Sequence, residues 1–115
     1  MNKPLVNLSL LFIFLFGLCY QAFAAEILQV RSSSVLLIGD HNRTYTVKIA
    51  CAEVSSDLEE NAINWLRNQL PRHTKVNLRP KGSVDGVLVA RVIPMETGID
   101  ITESYINKGL IEDKC

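Results

Sequence analysis

Between Leu5 and Ala25 the chain carries no charge and almost no polar side chain, and this block decides how much of the 115 residues is left to build a fold. Lys3 precedes it as a short positive region. Leu8 to Leu18 (LSLLFIFLFGL) is an apolar run of signal-peptide length, and Ala22-Phe23-Ala24 has the A-x-A form of a cleavage site. The pattern predicts a signal peptide over residues 1–24, cut after Ala24, and export to a secreted or periplasmic destination. An uncleaved anchor is the rival reading, because the run approaches the roughly 20 residues of a membrane span, but the A-x-A stands where a peptidase would cut. Leu18 occupies the position before Cys19 where a lipidation signal needs a small residue, so lipidation is not expected. No stable membrane span is expected after cleavage.

Residues 25–115 then form one small domain of 91 residues, which excludes a multidomain enzyme. Without Lys3 the twelve Lys and Arg become eleven against twelve Asp and Glu, a formal charge near −1, so no global polycation drives the domain onto nucleic acid or anionic lipid. A domain this small buries a modest core and gains from a crosslink. Cys19 leaves with the signal, and Cys51 and Cys115 remain as an even pair in a chain bound for an oxidising compartment, so a disulfide between them is expected. It would close a loop of about 65 residues, worth roughly 4 kcal/mol in chain entropy. The alternative is a buried, reduced Cys51 and a frayed Cys115.

Ile27–Val30 and Val35–Ile38 are short β-branched and aliphatic runs separated by Ser32-Ser33-Ser34, and Gly39-Asp40-His41-Asn42 supplies turn chemistry. Thr44 to Cys51 alternates, with Tyr45, Val47, Ile49 and Cys51 assigned to the inner face. Ser56 followed by Glu59 has the form of a capping box, and Leu58, Ala62, Ile63, Trp65, Leu66 and Leu70 recur at helical spacing, which predicts a helix from Asp57 to Leu70. Thr74–Arg79 alternates again, and Asp85-Gly86 is a hairpin signal before Val87–Ile93. Asp100 with Glu103, the stripe Ile101, Tyr105 and Ile106, and the stop at Gly109 predict a short second helix. The order β-β-β-α-β-β-α suits a small mixed barrel with helices against it, an α+β fold.

These residues resemble a family. The element order and the closing segment from Asp100 to Leu110 (DITESYINKGL) are similar to the staphylococcal-nuclease-like, or thermonuclease-like, domain, an OB-fold barrel with helices. Asp85 to Val92 resembles the family's Y-G-R-x-L-A-x-V strand, and Asn61–Leu66 followed by Lys75–Leu78 resembles its helix-then-strand unit. The likeness covers nearly all of residues 25–115, and its signatures concern packing more than chemistry.

The resemblance implies calcium held by acidic residues, two arginines on the phosphate and a glutamate base, and each requirement has a position here. The first acidic motif falls on Val30 to Val35, where serines stand. The motif R-L-x-x-V-D-T-P-E matches Lys48 to Ser56, so Lys48 replaces the first arginine, Glu53 the second acidic ligand, and Ser56 the glutamate. Lysine keeps the charge but loses the planar fork that grips phosphate. The second arginine falls on Val87. One carboxylate is a poor site for an ion that takes six to eight oxygens, and losing even one well-placed stabilising group typically costs two to three orders of magnitude in rate.

Elsewhere, His41 and His73 have no zinc-spaced partners, and no phosphate loop, nucleophile elbow or CxxC occurs. Asn42-Arg43-Thr44 is a glycosylation sequon in an expected turn. The serine run reads as a turn, and Trp65 as core. Lys75, Arg79 and Lys81 form a local basic cluster that would share an outward face if alternation continued past Pro80. Single-strand binders add exposed aromatics to such a face, yet Tyr45, Trp65 and Tyr105 are all assigned inward. The expectation is an exported, disulfide-linked, non-hydrolytic binding or interaction module without a cofactor, whose ligand is not written in the sequence; single-stranded nucleic acid and another protein are the candidates. The alternatives are a weak calcium-dependent phosphodiesterase using Lys48 and Glu53, for which calcium would be the cofactor and Glu53 a metal ligand, and a structural envelope-associated protein.

Overall fold

The computed structural model describes residues 25–112, so the expected signal peptide and Cys115 lie outside the described residues. Three strands come first, β1 (Ala25–Val30), β2 (Val35–Asp40) and β3 (Arg43–Ile49). A 3-10 turn (Ser56–Leu58) leads into helix α1 (Glu59–Gln69), then β4 (Lys75–Val84), β5 (Val87–Pro94) and helix α2 (Ile101–Lys108) follow. The strands close into a barrel in the order β1-β2-β3-β5-β4. Every pairing is antiparallel except β3 with β5, which is parallel because α1 and β4 intervene between them. A closed five-stranded barrel with two helices is an OB-like α+β architecture, as the element order predicts.

Alternation accounts for the barrel interior. Leu36 and Ile38 on β2, Val47 and Ile49 on β3, and Ala90 and Val92 on β5 point inward and are almost wholly buried with Ile27 and Val76. The helices complete the core with Ala62, Leu66, Ile101 and Tyr105. Each fully buried aliphatic side chain contributes on the order of 2 kcal/mol relative to exposure. Trp65 packs against Tyr105 with ring centroids 4.8 Å apart, so both aromatics belong to this core. The two hairpins turn as their residues dictate. His41 (φ 49) with Asn42 (φ 60), and Asp85 (φ 52) with Gly86 (φ 79), place two consecutive residues at positive φ, as the tight I′ hairpin requires.

Three local expectations are corrected. Cys51 does not face the core: β3 ends at Ile49, Cys51 turns the chain with φ 62 and is half-buried, and Ala50 and Ala52 are the buried residues there. Ser56 and Glu59 do not form a capping box, since neither the 3-10 turn nor α1 has a side-chain cap. Glu59 instead reaches the β1–β2 turn, where it accepts hydrogen bonds from the Ser33 backbone N–H (3.1 Å) and the Ser33 hydroxyl. Ser33 is therefore buried at 4% exposure within the turn expected there. Finally, a bulge between Pro80 and Gly82 interrupts β4, so the alternation that would align Lys81 with Arg79 is lost.

Candidate functional site

The end of β3 is tied to α2 before the chain turns away. The Ala50 N–H donates to the Ala90 carbonyl at 2.8 Å, and the Ala50 carbonyl accepts from the buried Thr102 hydroxyl at 2.7 Å. At the far end of α2, Gly109 (φ 79) stops the helix, with its N–H donating to the Ile106 carbonyl and the Leu110 N–H to that of Tyr105. This is a Schellman stop, and it throws Leu110 and Ile111 back toward the exit of β3. Between these two departing segments lies a cavity of about 640 Å³. Its walls are largely apolar (Ile49, Leu58, Val89, Leu110, Ile111), and the exposed Lys48, Glu53, Ser55 and Glu112 contribute polar groups. Val84, 51% exposed near the β4–β5 turn, adds further apolar surface.

Lys48, Glu53 and Cys51 all border this one groove. The Cys51 sulfur is engaged rather than a titrating thiol, and its expected partner, Cys115, lies outside the described residues. Other positions singled out by the resemblance are elsewhere. Val87 pairs with Val84 on the last rung of the hairpin. The serine turn is occupied internally, because the Ser33 carbonyl also accepts the Tyr105 hydroxyl at 2.5 Å. Burial, and then the nearby Glu59 carboxylate, push the Tyr105 phenol far above its ordinary range, so it stays a hydrogen-bond donor. Among the described residues no group of three or more His, Cys, Asp and Glu is placed to hold a metal ion. Glu53 and Glu112 are the acidic residues on the groove.

The basic cluster is spread along β4. Lys75 Nζ lies 3.0 Å from Glu26 on β1, and His73 Nδ1 lies 3.3 Å from the same carboxylate. The hydrogen bond from Lys75, followed by that from His73, holds the Glu26 carboxyl below its ordinary value. Arg79 stands opposite Arg91, a like-charge cross-strand pair relieved by the ion pair of Arg91 with Asp100 at 2.7 Å. Lys81 sits at the bulge. None of the three is on the groove. The described aromatics provide no open stacking platform beside them: Trp65 and Tyr105 pack together, and Tyr45 packs against the core.

Sequence reasoning missed the groove walls formed by Val84, Leu110 and Ile111. Leu110 and Ile111 look like a spent helix end, and only the left-handed Gly109, which redirects the chain, hints at their use. Among the described residues no helix is long and apolar enough to cross a membrane. Neither the known protein-family models nor the curated proteins include a match to this chain.

Proposed function

We propose that this chain is an exported, non-hydrolytic binding module of the staphylococcal-nuclease-like type, crosslinked through Cys51 and Cys115, which engages a protein segment at the β3-exit groove. One observation carries the reading: the two surviving polar positions, Lys48 and Glu53, border a groove whose walls are apolar. Such a surface suits an apolar side chain flanked by charges. It suits a phosphodiester poorly, since Val87 lacks the second cation and Ser33 is committed to Glu59 and Tyr105. Protein is favoured over single-stranded nucleic acid because Lys75 is paired with Glu26 and, among the described residues, no exposed aromatic accompanies Arg79 and Lys81.

The second reading, a weak calcium-dependent phosphodiesterase, draws on the same placement of Lys48 and Glu53 on one groove. A nuclease assay on single-stranded DNA with calcium separates the two. The binding module leaves the substrate intact, whereas cleavage abolished by a chelator and by Glu53→Gln would establish the phosphodiesterase.

A further inference from the structure

The outer half of β4 forms a second surface, which stands independently of the groove. β1 pairs with β4 only through Ala25 and Glu26, opposite Val76 and Lys75. β4 then runs on to Val84 with β5 along one side. Among the described residues no strand takes the other side, and Arg79 to Val84 are all exposed. At about 3.3 Å per residue, Asn77 to Val84 present an open edge of about 26 Å. The Met95 N–H donates to the Lys75 carbonyl at 3.0 Å, which makes Val76 and Pro94 a pair without mutual hydrogen bonds and turns the Val76 backbone toward β1. By the same alternation Leu78 and Pro80 turn their backbone groups to the open side. Pro80 has no N–H, and an outward position costs β4 no bond to β5. The I′ turn closes on Val84 and Val87 as a hydrogen-bonded pair, so the Ser83 backbone faces outward too.

Such an edge is a template for another chain, and its charge decides which. Arg79 and Lys81 are exposed, and no carboxylate among the described residues pairs with either. Pairing two β4 edges would set Arg79 and Lys81 of one chain beside those of the other, so the same cations disfavour a second copy. A strand bearing carboxylates meets attraction in place of that repulsion. We propose that the open edge of β4, from Leu78 to Val84, accepts an extended acidic segment of a partner protein as an added strand. Main-chain hydrogen bonds to Leu78 and Ser83 hold the segment, and its carboxylates lie beside Arg79 and Lys81.

The test uses isotopically labelled protein expressed as the full chain, with two capped hexapeptides as probes, one alternating Val with Glu and the other Val with Lys. The Glu peptide should bind saturably, more weakly as salt is raised, and slow hydrogen exchange at the Leu78 and Ser83 amides several-fold. The double variant Arg79→Glu with Lys81→Glu should reverse the preference between the two peptides. Ser83→Pro removes one outward N–H while sparing the bonds to β5, and should weaken the Glu peptide several-fold with the resonance dispersion of the fold retained. Binding that leaves the Leu78 and Ser83 amides exchanging as before, or that Ser83→Pro does not touch, would reveal attraction by charge alone and overturn the added strand. Equal binding of the two peptides, or binding of neither, would overturn it as well. Protection centred on Val89 and Leu110 would overturn the edge while leaving the groove as the binding surface.

Discussion

Ser33 keeps a hydroxyl and a backbone amide out of water at the β1–β2 turn because Glu59 accepts from both, and the Tyr105 hydroxyl satisfies its carbonyl. Buried polar groups cost little when paired and much when one partner is removed. Tyr105→Phe keeps the ring against Trp65 but orphans the Ser33 carbonyl, so urea unfolding should show a loss of about 1–3 kcal/mol. A loss well below that would mean water reaches the carbonyl. Glu26 gives a prediction in pH. Its carboxyl is held below its ordinary value of 4.5, first by Lys75 and then by His73, so the folded state favours the charged form. The resulting stability is present above the ordinary value and fades as pH falls through the lowered one. Glu26→Gln should therefore flatten the acid limb of the stability–pH curve without altering its shape near neutrality. An unchanged acid limb would show that the surface cluster contributes nothing there.

Among the elements, α2 lines none of the groove itself but aims the segment after it, Gly109–Glu112, into its wall. Asp100 caps it by accepting from the Thr102 N–H at 2.9 Å, Thr102 ties it to β3, and Gly109 ends it. A Cβ at Gly109 would meet open space, so Gly109→Ala tests backbone strain alone. The expected cost is about 1 kcal/mol, read as a lower thermal midpoint. No change would mean that the helix stops equally well without the left-handed residue. This cap was legible in the sequence, as were the turns at Gly39–Asn42 and Asp85-Gly86, because each depends on residue types at one or two adjacent positions. The end of β3 was not legible. Thr44 to Ile49 alternates, and nothing local marks where Cys51 leaves the strand, since the departure is set by Ala50 bonding to Ala90 and Thr102 from distant elements. Glu59 misled for the same reason: three residues after Ser56 it imitates a cap, while its true partner is 26 residues away.

For the molecule as a whole, the barrel was readable because alternating strands and one amphipathic helix leave few ways to bury Leu36, Ile38, Val47, Ile49 and Val92 together. The groove was not, since Lys48 on β3, Val84 on β4 and Ile111 in the segment after α2 meet only when the barrel closes. The proposed crosslink acts at this scale too. Cys115→Ser should lower unfolding stability by roughly 2–5 kcal/mol by freeing a long loop in the unfolded chain, and a negligible change would mean that Cys115 does not pin the chain. The claim on which the functional reading stands is that the groove does not assemble a calcium site. Its most direct test is a calcium titration of labelled protein followed by backbone amide resonances. The account predicts no saturable shift at Lys48, Glu53 or Glu112. A saturable shift centred on Glu53 and abolished by Glu53→Gln would contradict it.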